Sequence, residues 1–291
     1  MIRARGYKSI YWMMTPFFII FAVFTLFPVL FSICMSFADF NALQPARFIG
    51  LKNYQRIFLE DPIFKQAFQH TLLLAFTVGP IGYMLSFVLA WILNEFSVLT
   101  RTIFTVILYG PSLAGNAYMI WGLIFSSDSN GYANAWLMSL GLIQEPILWL
   151  KDPKYMMLLV MLVQIWMSFG IGFLSFIAGL QGLDRAQLEA GELDGIRNRW
   201  QELWYIVLPS MRPQLLFGAV MSIASSFSIT GSALTGFPST GYATHTLIDH
   251  INDYGLTRLE LGYSAALAVI LFILMLLMTG LIRRFLAKVG R

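Results

Sequence analysis

The residue types most able to do chemistry gather in one polar stretch, where His245, Asp249, His250 and Asp253 fall within nine residues. Imidazoles and carboxylates could hold a divalent metal. Two histidines five apart, with no third strong ligand at helical spacing, make an incomplete set, so segment 238–260 reads as a solvated loop with no metal. No His, Cys or carboxylate constellation falls inside an apolar run where a reaction could be sheltered, which weighs against an embedded enzyme. A second group offers recognition instead. Asn116, Tyr118, Gln164, Ser225, Ser228 and Thr230 place amides, a phenol and hydroxyls within apolar runs, with Trp166 near Gln164. Such groups could hydrogen-bond a neutral polyol and stack on its ring. Small hydroxyl residues equally serve helix packing in lipid, and both readings stand. A third group is ionic: on a helix begun at Asp184, residues Arg185, Glu189 and Glu192 share one face, and Ala186, Ala190 and Leu193 another.

That third group must be positioned by residues 184–213, DRAQLEAGELDGIRNRWQELWYIVLPSMRP, a polar island between two apolar runs. Asp184 is a strong N-cap, with Gln187 three residues on as its capping-box partner. Gly195 is the residue type that closes a helix in a left-handed turn, so the first helix ends there. Asn198 caps a second helix, again with a Gln, Gln201, three residues later. Trp200, Leu203, Trp204, Val207 and Leu208 follow at i, i+3, i+4, i+7 and i+8, a stripe for packing on the chain's own membrane helices. Pro209 and Pro213 stop or bend that helix. Two capped helices, one acidic and the other apolar, describe a docking element. A solvated hairpin at headgroup level has the same spacing.

At these residues the chain resembles a known family. Glu189-Ala190, Gly195 and Ile206-Val207-Leu208-Pro209 are similar to the EAA loop of binding-protein-dependent ABC importer permeases, where Glu-Ala-Ala is followed by Gly and then by Ile-x-Leu-Pro. Two departures occur. Gly191 replaces the third small residue, which still permits close approach of a partner backbone, and the Gly195-to-Ile206 spacing is one residue longer, which reshapes the turn. The resemblance covers most of the chain. It implies an all-α membrane protein with six transmembrane helices in the type I ABC importer permease fold and both termini cytoplasmic. It also implies that Glu189 is the charged contact to an ATPase, with Ala190, Gly191 and Asp194 beside it. Gly195 would shape the turn, and Leu208 and Pro209 would seat the loop against the fifth span.

The composition agrees on class: 58% of the residues are hydrophobic and 12% charged, a polytopic membrane protein. Six apolar runs reach bilayer length, at about 11–37, 71–93, 102–125, 156–180, 214–237 and 261–282. Lys and Arg number twelve in the termini and even-numbered loops against seven in the alternate segments, so the termini and the 184–213 loop are expected in the cytoplasm. The first run is too long for a signal peptide and is expected to be retained. Cys34 is the single cysteine and can form no internal disulfide. The expected organisation is a cytoplasmic segment 1–10, one six-span domain 11–285, and a cytoplasmic tail 286–291. Within the domain, 38–70 is extracytoplasmic and 184–213 is the coupling loop.

The outer segments carry further resemblance. Residues 48–54, FIGLKNY, are similar to a stretch common in sugar-type permeases, and Asp61-Pro62 is a helix start. Gly131, Asn134, Trp149 and Leu150 follow the same family's pattern, although tryptophans there could be ordinary interface anchors. Pro80 and Pro111, each beside a glycine, mark expected kinks.

None of the six runs contains Asp, Glu, Lys, Arg or His. Proton- and ion-coupled carriers usually need such a group at membrane depth. No Gly-x-x-x-x-Gly-Lys-[Ser/Thr] occurs, so ATP is not bound through a P-loop. A chain of this kind must be driven from outside itself. The resemblance implies how: a second homologous permease, an ATP-binding cassette ATPase dimer carrying ATP and Mg, and an extracytoplasmic solute-binding protein, in a bacterial or archaeal inner membrane. It further implies that a sugar or oligosaccharide is moved. A non-sugar solute such as glycerol phosphate is the alternative, then a six-span secondary carrier. No enzyme activity, no cofactor on this chain and no nucleic-acid partner are expected.

Overall fold

Chain crossing a bilayer must satisfy its own backbone N–H and C=O groups, so the apolar runs fold as helices. The computed structural model describes residues 2–114 and 117–286. Tyr11–Met35, Pro62–Asn94, Pro153–Gln181 and Leu261–Arg284 are each long and apolar enough to span alone. Two broken pairs, Val98–Leu113 with Ala117–Ile124 and Arg199–Ser210 with Arg212–Phe227, bring the candidate spans to six.

The chain divides into two compact units. The first is Met1–Phe64 with His250–Phe272. Its α1 (Ile2–Phe21) passes through a π-helical turn into α2 (Phe27–Met35). The apolar window of Tyr11–Met35 is nowhere buried, a helix hydrophobic all round whose solvent is lipid. A short ladder pairs β1 (Ala38–Asp39) with β2 (Arg47–Phe48), antiparallel. Asn53, in α3 (Lys52–Gln55), ties the ladder to the end of α2: its Nδ2 donates to the Ser36 and Ala38 carbonyls at 2.9 and 3.0 Å. Gly262 N–H donates to Phe40 O at 2.9 Å. A Cβ on Gly262 would lie 2.1 Å from Ala38 O, so that approach requires glycine.

Asp61 organises the same unit. Its Oδ1 accepts from the Ile63 and Phe64 N–H groups at 2.9 and 3.0 Å, capping α4 (Pro62–Asn94) as the sequence predicts. Its Oδ2 accepts from the Tyr263 hydroxyl at 2.7 Å and lies 2.9 Å from His250 Nε2. Arg258 pairs with Asp253 at 2.7 Å and stacks over Tyr254. Arg56, paired with Glu260, stacks over Tyr263. Segment 238–260 is therefore no solvated loop. His250 and Asp253 are buried, because their polar groups find fixed partners, Asp61 far along the chain for His250 and the nearby Arg258 for Asp253. Burial alone would raise the Asp61 carboxyl, but hydrogen bonds from His250, Tyr263 and the Phe64 N–H outweigh it and hold the group well below the usual carboxylate range. A carboxylate depressed on folding stabilises the fold above about pH 4, its ordinary value, and loses that stabilisation as pH falls through the folded value. Asp61→Asn is expected to lower the melting temperature of the solubilised subunit by several degrees at neutral pH, with the gap closing in strong acid. Equal melting at neutral pH would remove the cluster from the stability account.

The second unit is Lys65–Asp249 with Ile273–Arg291. After α4 come α5 (Val98–Leu113), α6 (Ala117–Ile124) and α7 (Tyr132–Ser139). Asn134, on α7, is fully buried, and its Oδ1 accepts from Ile147 N–H at 3.1 Å and from the Trp149 indole at 2.8 Å. Trp149 is thus held by a knot within this segment. Next are α8 (Pro153–Met167), capped by Asp152, and α9 (Ile171–Gln181), with a break between them. The loop helices α10 (Arg185–Leu193), α11 (Arg199–Glu202) and α12 (Leu208–Ser210) lead into α13 (Arg212–Phe227). α14 (Ser232–Thr235), α15 (Leu247–Asn252) and α16 (Leu261–Leu286) complete the order.

Small residues let α9 and α13 pack closely, as helices in lipid require. A Cβ on Gly172 would lie 3.5 Å from Gly218 Cα, and one on Gly218 would meet the Phe176 ring at 2.4 Å. Phe176 is edge-on to Tyr83 and Phe87 at 5.4 and 5.6 Å. Leu203, Val207, Met211 and Leu215 join this core, so the apolar half of the polar island is continuous with the membrane helices.

The helix of the second span starts at Pro62, at the Asp61-Pro62 pair, and carries Pro80 inside it. One span expectation is corrected: the fifth run, read as one helix over 214–237, stops at Phe227. Its 16 residues give about 24 Å of helix, short of the roughly 30 Å hydrocarbon core.

Candidate functional site

The helix breaks converge. A cavity of about 390 Å³ is lined by Leu113 at the end of α5, Ser168 and Gly170 between α8 and α9, and Ser225, Ser226 and Ile229 where α13 ends. Non-helical backbone is tolerated at membrane depth only where it is buried or lines a cavity, and these breaks line one. Tyr83, Tyr109, Gln164 and Phe173 complete a wall of hydroxyls, an amide and aromatic faces. No Asp, Glu, Lys, Arg or His lines it among the described residues.

Of the residues the sequence singles out for a pathway, Gln164 and Ser225 reach the cavity. Tyr118 is drawn in through its hydroxyl, which accepts from Gln164 Nε2 at 2.7 Å. Ser228 does not line the cavity, and its hydroxyl donates to Ala224 O at 2.7 Å, a helix back-bond. Thr230 also lies off the wall. Asn116 lies outside the described residues. Tyr83, Tyr109 and Ser168 line the cavity but escaped sequence reasoning; Ser222, in the hydroxyl-rich fifth run, lines it as well and donates its hydroxyl to Gly79 O at 2.9 Å.

The polar island folds nearly as its caps dictate. Asp184 Oδ1 accepts from Ala186 N–H at 3.0 Å. Gln187 does not close a capping box: its Oε1 accepts from the Ser210 hydroxyl at 3.2 Å and ties the two halves of the loop together. Asn198 Oδ1 caps Gln201 N–H at 2.8 Å, and Gln201 reaches back to Arg197 N–H at 2.9 Å. Gly195 has φ +98°, and Ile196 N–H donates to Gly191 O at 3.0 Å, the left-handed closure that favours glycine. Glu189, Ala190, Asp194 and Gly195 are exposed, and Leu193 is 91% exposed. α10 therefore presents an acidic and apolar face that nothing in its unit covers.

Two expectations change here. Gly191 is buried, and the close approach it permits is to this chain's own Ile206: a Cβ would meet Ile206 Cδ1 at 2.4 Å. Only part of the apolar stripe is buried, namely Leu203 and Val207, with Leu208 and Pro209 partly covered. Trp200 and Trp204 are 65% and 61% exposed. Trp200 touches Trp91, and Arg199 pairs with Glu95, so the second loop helix leans on the end of α4. Gly191→Ala is expected to lower the melting temperature of the solubilised subunit by several degrees by pushing α10 off the second half of the loop. Ile206→Val, which removes Cδ1, is expected to restore it. An unaltered melting temperature in Gly191→Ala would show that the contact is not limiting.

Comparison with known proteins settles the family. The model of the binding-protein-dependent transport system inner membrane component matches residues 8–291. The chain belongs to that family. It is a multi-pass inner-membrane permease subunit of an ABC importer. The permease is 31% identical over 270 residues to the arabinooligosaccharides transport system permease protein AraP of Bacillus subtilis, covering 91% of this chain and 84% of that one. It is 30% identical over 286 residues to the probable ABC transporter permease protein YesP of the same organism, covering 96% and 89%. Its fold matches the crystal structure of a bacterial ABC transporter involved in the import of the acidic polysaccharide alginate, with TM-score 0.80 over 99% of this chain and 98% of that one, at 21% identity. The permease thus has the type I importer fold expected from its loop.

The remaining pair of the first-named polar stretch lies in the second unit. His245 and Asp249 are buried there. Among the described residues no three His, Cys, Asp or Glu side chains converge as a metal site would need.

Proposed function

We propose that this permease forms half of the path by which a neutral sugar or oligosaccharide enters the cell, driven by ATP hydrolysis on a separate chain. One observation carries the reading: the cavity at the helix breaks is walled by hydroxyls, an amide and aromatic faces among aliphatic side chains, with no fixed charge among the described residues. Such walls can exchange hydrogen bonds with a polyol as it sheds water and stack on its rings. They offer nothing to neutralise a phosphate, which weighs against glycerol phosphate. The arabinooligosaccharide relative supports the same class.

In this reading the termini and 184–213 face the cytoplasm, where the exposed face of α10 docks on an ATP-binding cassette ATPase. Segment 38–70 faces outward, toward a solute-binding protein. A second homologous permease supplies the other half of the path. ATP-driven closure of the ATPases is passed through α10 and the Gln187–Ser210 tie to the core around Phe176, and the cavity opens alternately to each side.

The test is co-purification from gently solubilised membranes, followed by uptake in proteoliposomes. An ATPase and a second six-span chain should co-purify. ATP-dependent uptake should be competed by arabino-oligosaccharides or other neutral oligosaccharides and not by glycerol phosphate. Recovery of the chain alone, still moving solute without ATP, would point to a secondary carrier.

A further inference from the structure

Asp249 belongs neither to the cavity wall nor to the coupling loop, yet only 2% of its surface is exposed. A carboxylate withdrawn from water is costly unless its oxygens are satisfied. Here they accept from Gly231 N–H at 3.0 Å, Ser232 N–H at 3.4 Å, the Ser232 hydroxyl, and Thr246 N–H at 3.0 Å. Gly231 and Ser232 open α14, the single helical turn that follows the break. The Thr246 hydroxyl donates to Ile229 O at 2.8 Å, inside the break, and Ile229 lines the cavity. A Cβ on Gly231 would lie 1.8 Å from Thr244 O, so the two segments touch backbone to backbone.

The segment that holds the break is itself fastened to the second span. Gln66 Nε2 donates to Gly241 O at 3.2 Å, His70 Nδ1 lies 3.0 Å from His245 O, and Leu247 N–H donates to Thr71 Oγ1 at 2.8 Å. Residues 66 and 70 are one turn apart on α4, so a single helix face carries the whole segment.

We propose that Asp249 is a positioning residue that sets the gate of the cavity, clamping the break in the fifth span to a strap, 241–249, carried on α4. The Ile229 wall then takes its position from the second span and is not free to open alone. The inference rests on the reading of the cavity as the solute's path.

The test uses the assembled importer in proteoliposomes, with Cys34→Ser removing the native thiol and Ser225→Cys placed in the cavity. The readout is the rate of labelling by a membrane-impermeant maleimide. Asp249→Asn keeps the shape but turns an amide donor against donors, and is expected to raise the rate by roughly fivefold or more, the low end of coupling between linked sites. Thr246→Val is expected to raise it also, and Thr246→Ser, which keeps the hydroxyl, to leave it at the wild-type value. A purely structural role would not separate valine from serine in this way at equal melting temperature. If Asp249→Asn does not assemble, the Thr246 pair decides. A reactive cysteine whose rate is the same in every background overturns the clamp alone. A cysteine unreactive in all of them removes the cavity as a path, and the clamp with it.

Discussion

Glu189→Lys is expected to abolish uptake, and with it solute-stimulated ATP hydrolysis, while the subunit still reaches the membrane at its normal level. Glu189 lies on the exposed face of α10 beside Ala190 and Leu193, and none of its own contacts contributes to the core. Its removal therefore leaves the fold intact. Reversing a charge at a docked interface costs about 2–5 kcal/mol, roughly thirtyfold or more in affinity. The ATPase should be lost from the purified complex in the same proportion. Restoration of capture by an opposite charge reversal on the ATPase would locate the contact. Wild-type uptake by Glu189→Lys would remove α10 from the docking role, leaving the exposed loop tryptophans as the contact to examine.

A second large effect is expected from Gly218→Leu, by a different route. The space a side chain would need is already held by Phe176, which is buried and edge-on to Tyr83 and Phe87. Forcing extra methylenes into a packed core costs about 1–3 kcal/mol, occasionally more. Four carbons there should separate α9 from α13 and prevent accumulation of folded subunit. Gly218→Ala is expected to be milder, and Phe176→Leu to recover part of its loss. The interaction energy from the double-mutant cycle measures the contact. If Gly218→Leu accumulates normally, the two helices are not packed as described.

What was legible in the sequence was local. Asp61, Asp184 and Asn198 cap helices because a short polar side chain before a helical run reaches the first free N–H groups, and that depends on neighbours alone. Gly195 closes its helix for the same reason. The charge-free runs and the acidic face of α10 were also readable as pattern. The break in the fifth span was not. Ile229 and Thr230 continue an apolar run without a proline, and the groups that interrupt the helix there, Asp249 and Thr246, lie at least sixteen residues further on. Burial of His245 and His250 was hidden likewise, since hydropathy registers a polar side chain but not the partner that satisfies it. Gly191 showed that something approaches closely; only the fold shows that it is Ile206.

The charge-free wall has a consequence for energetics. An uncharged solute crossing beside uncharged walls moves no net charge through the membrane field. The work done on a charge, about 2.3 kcal/mol per elementary charge for each 100 mV, is then absent from the cycle. Accumulation, in the proposed reading, is then limited by the free energy of ATP hydrolysis alone. It should continue at the same level in cells whose membrane voltage has been collapsed, provided their ATP is maintained.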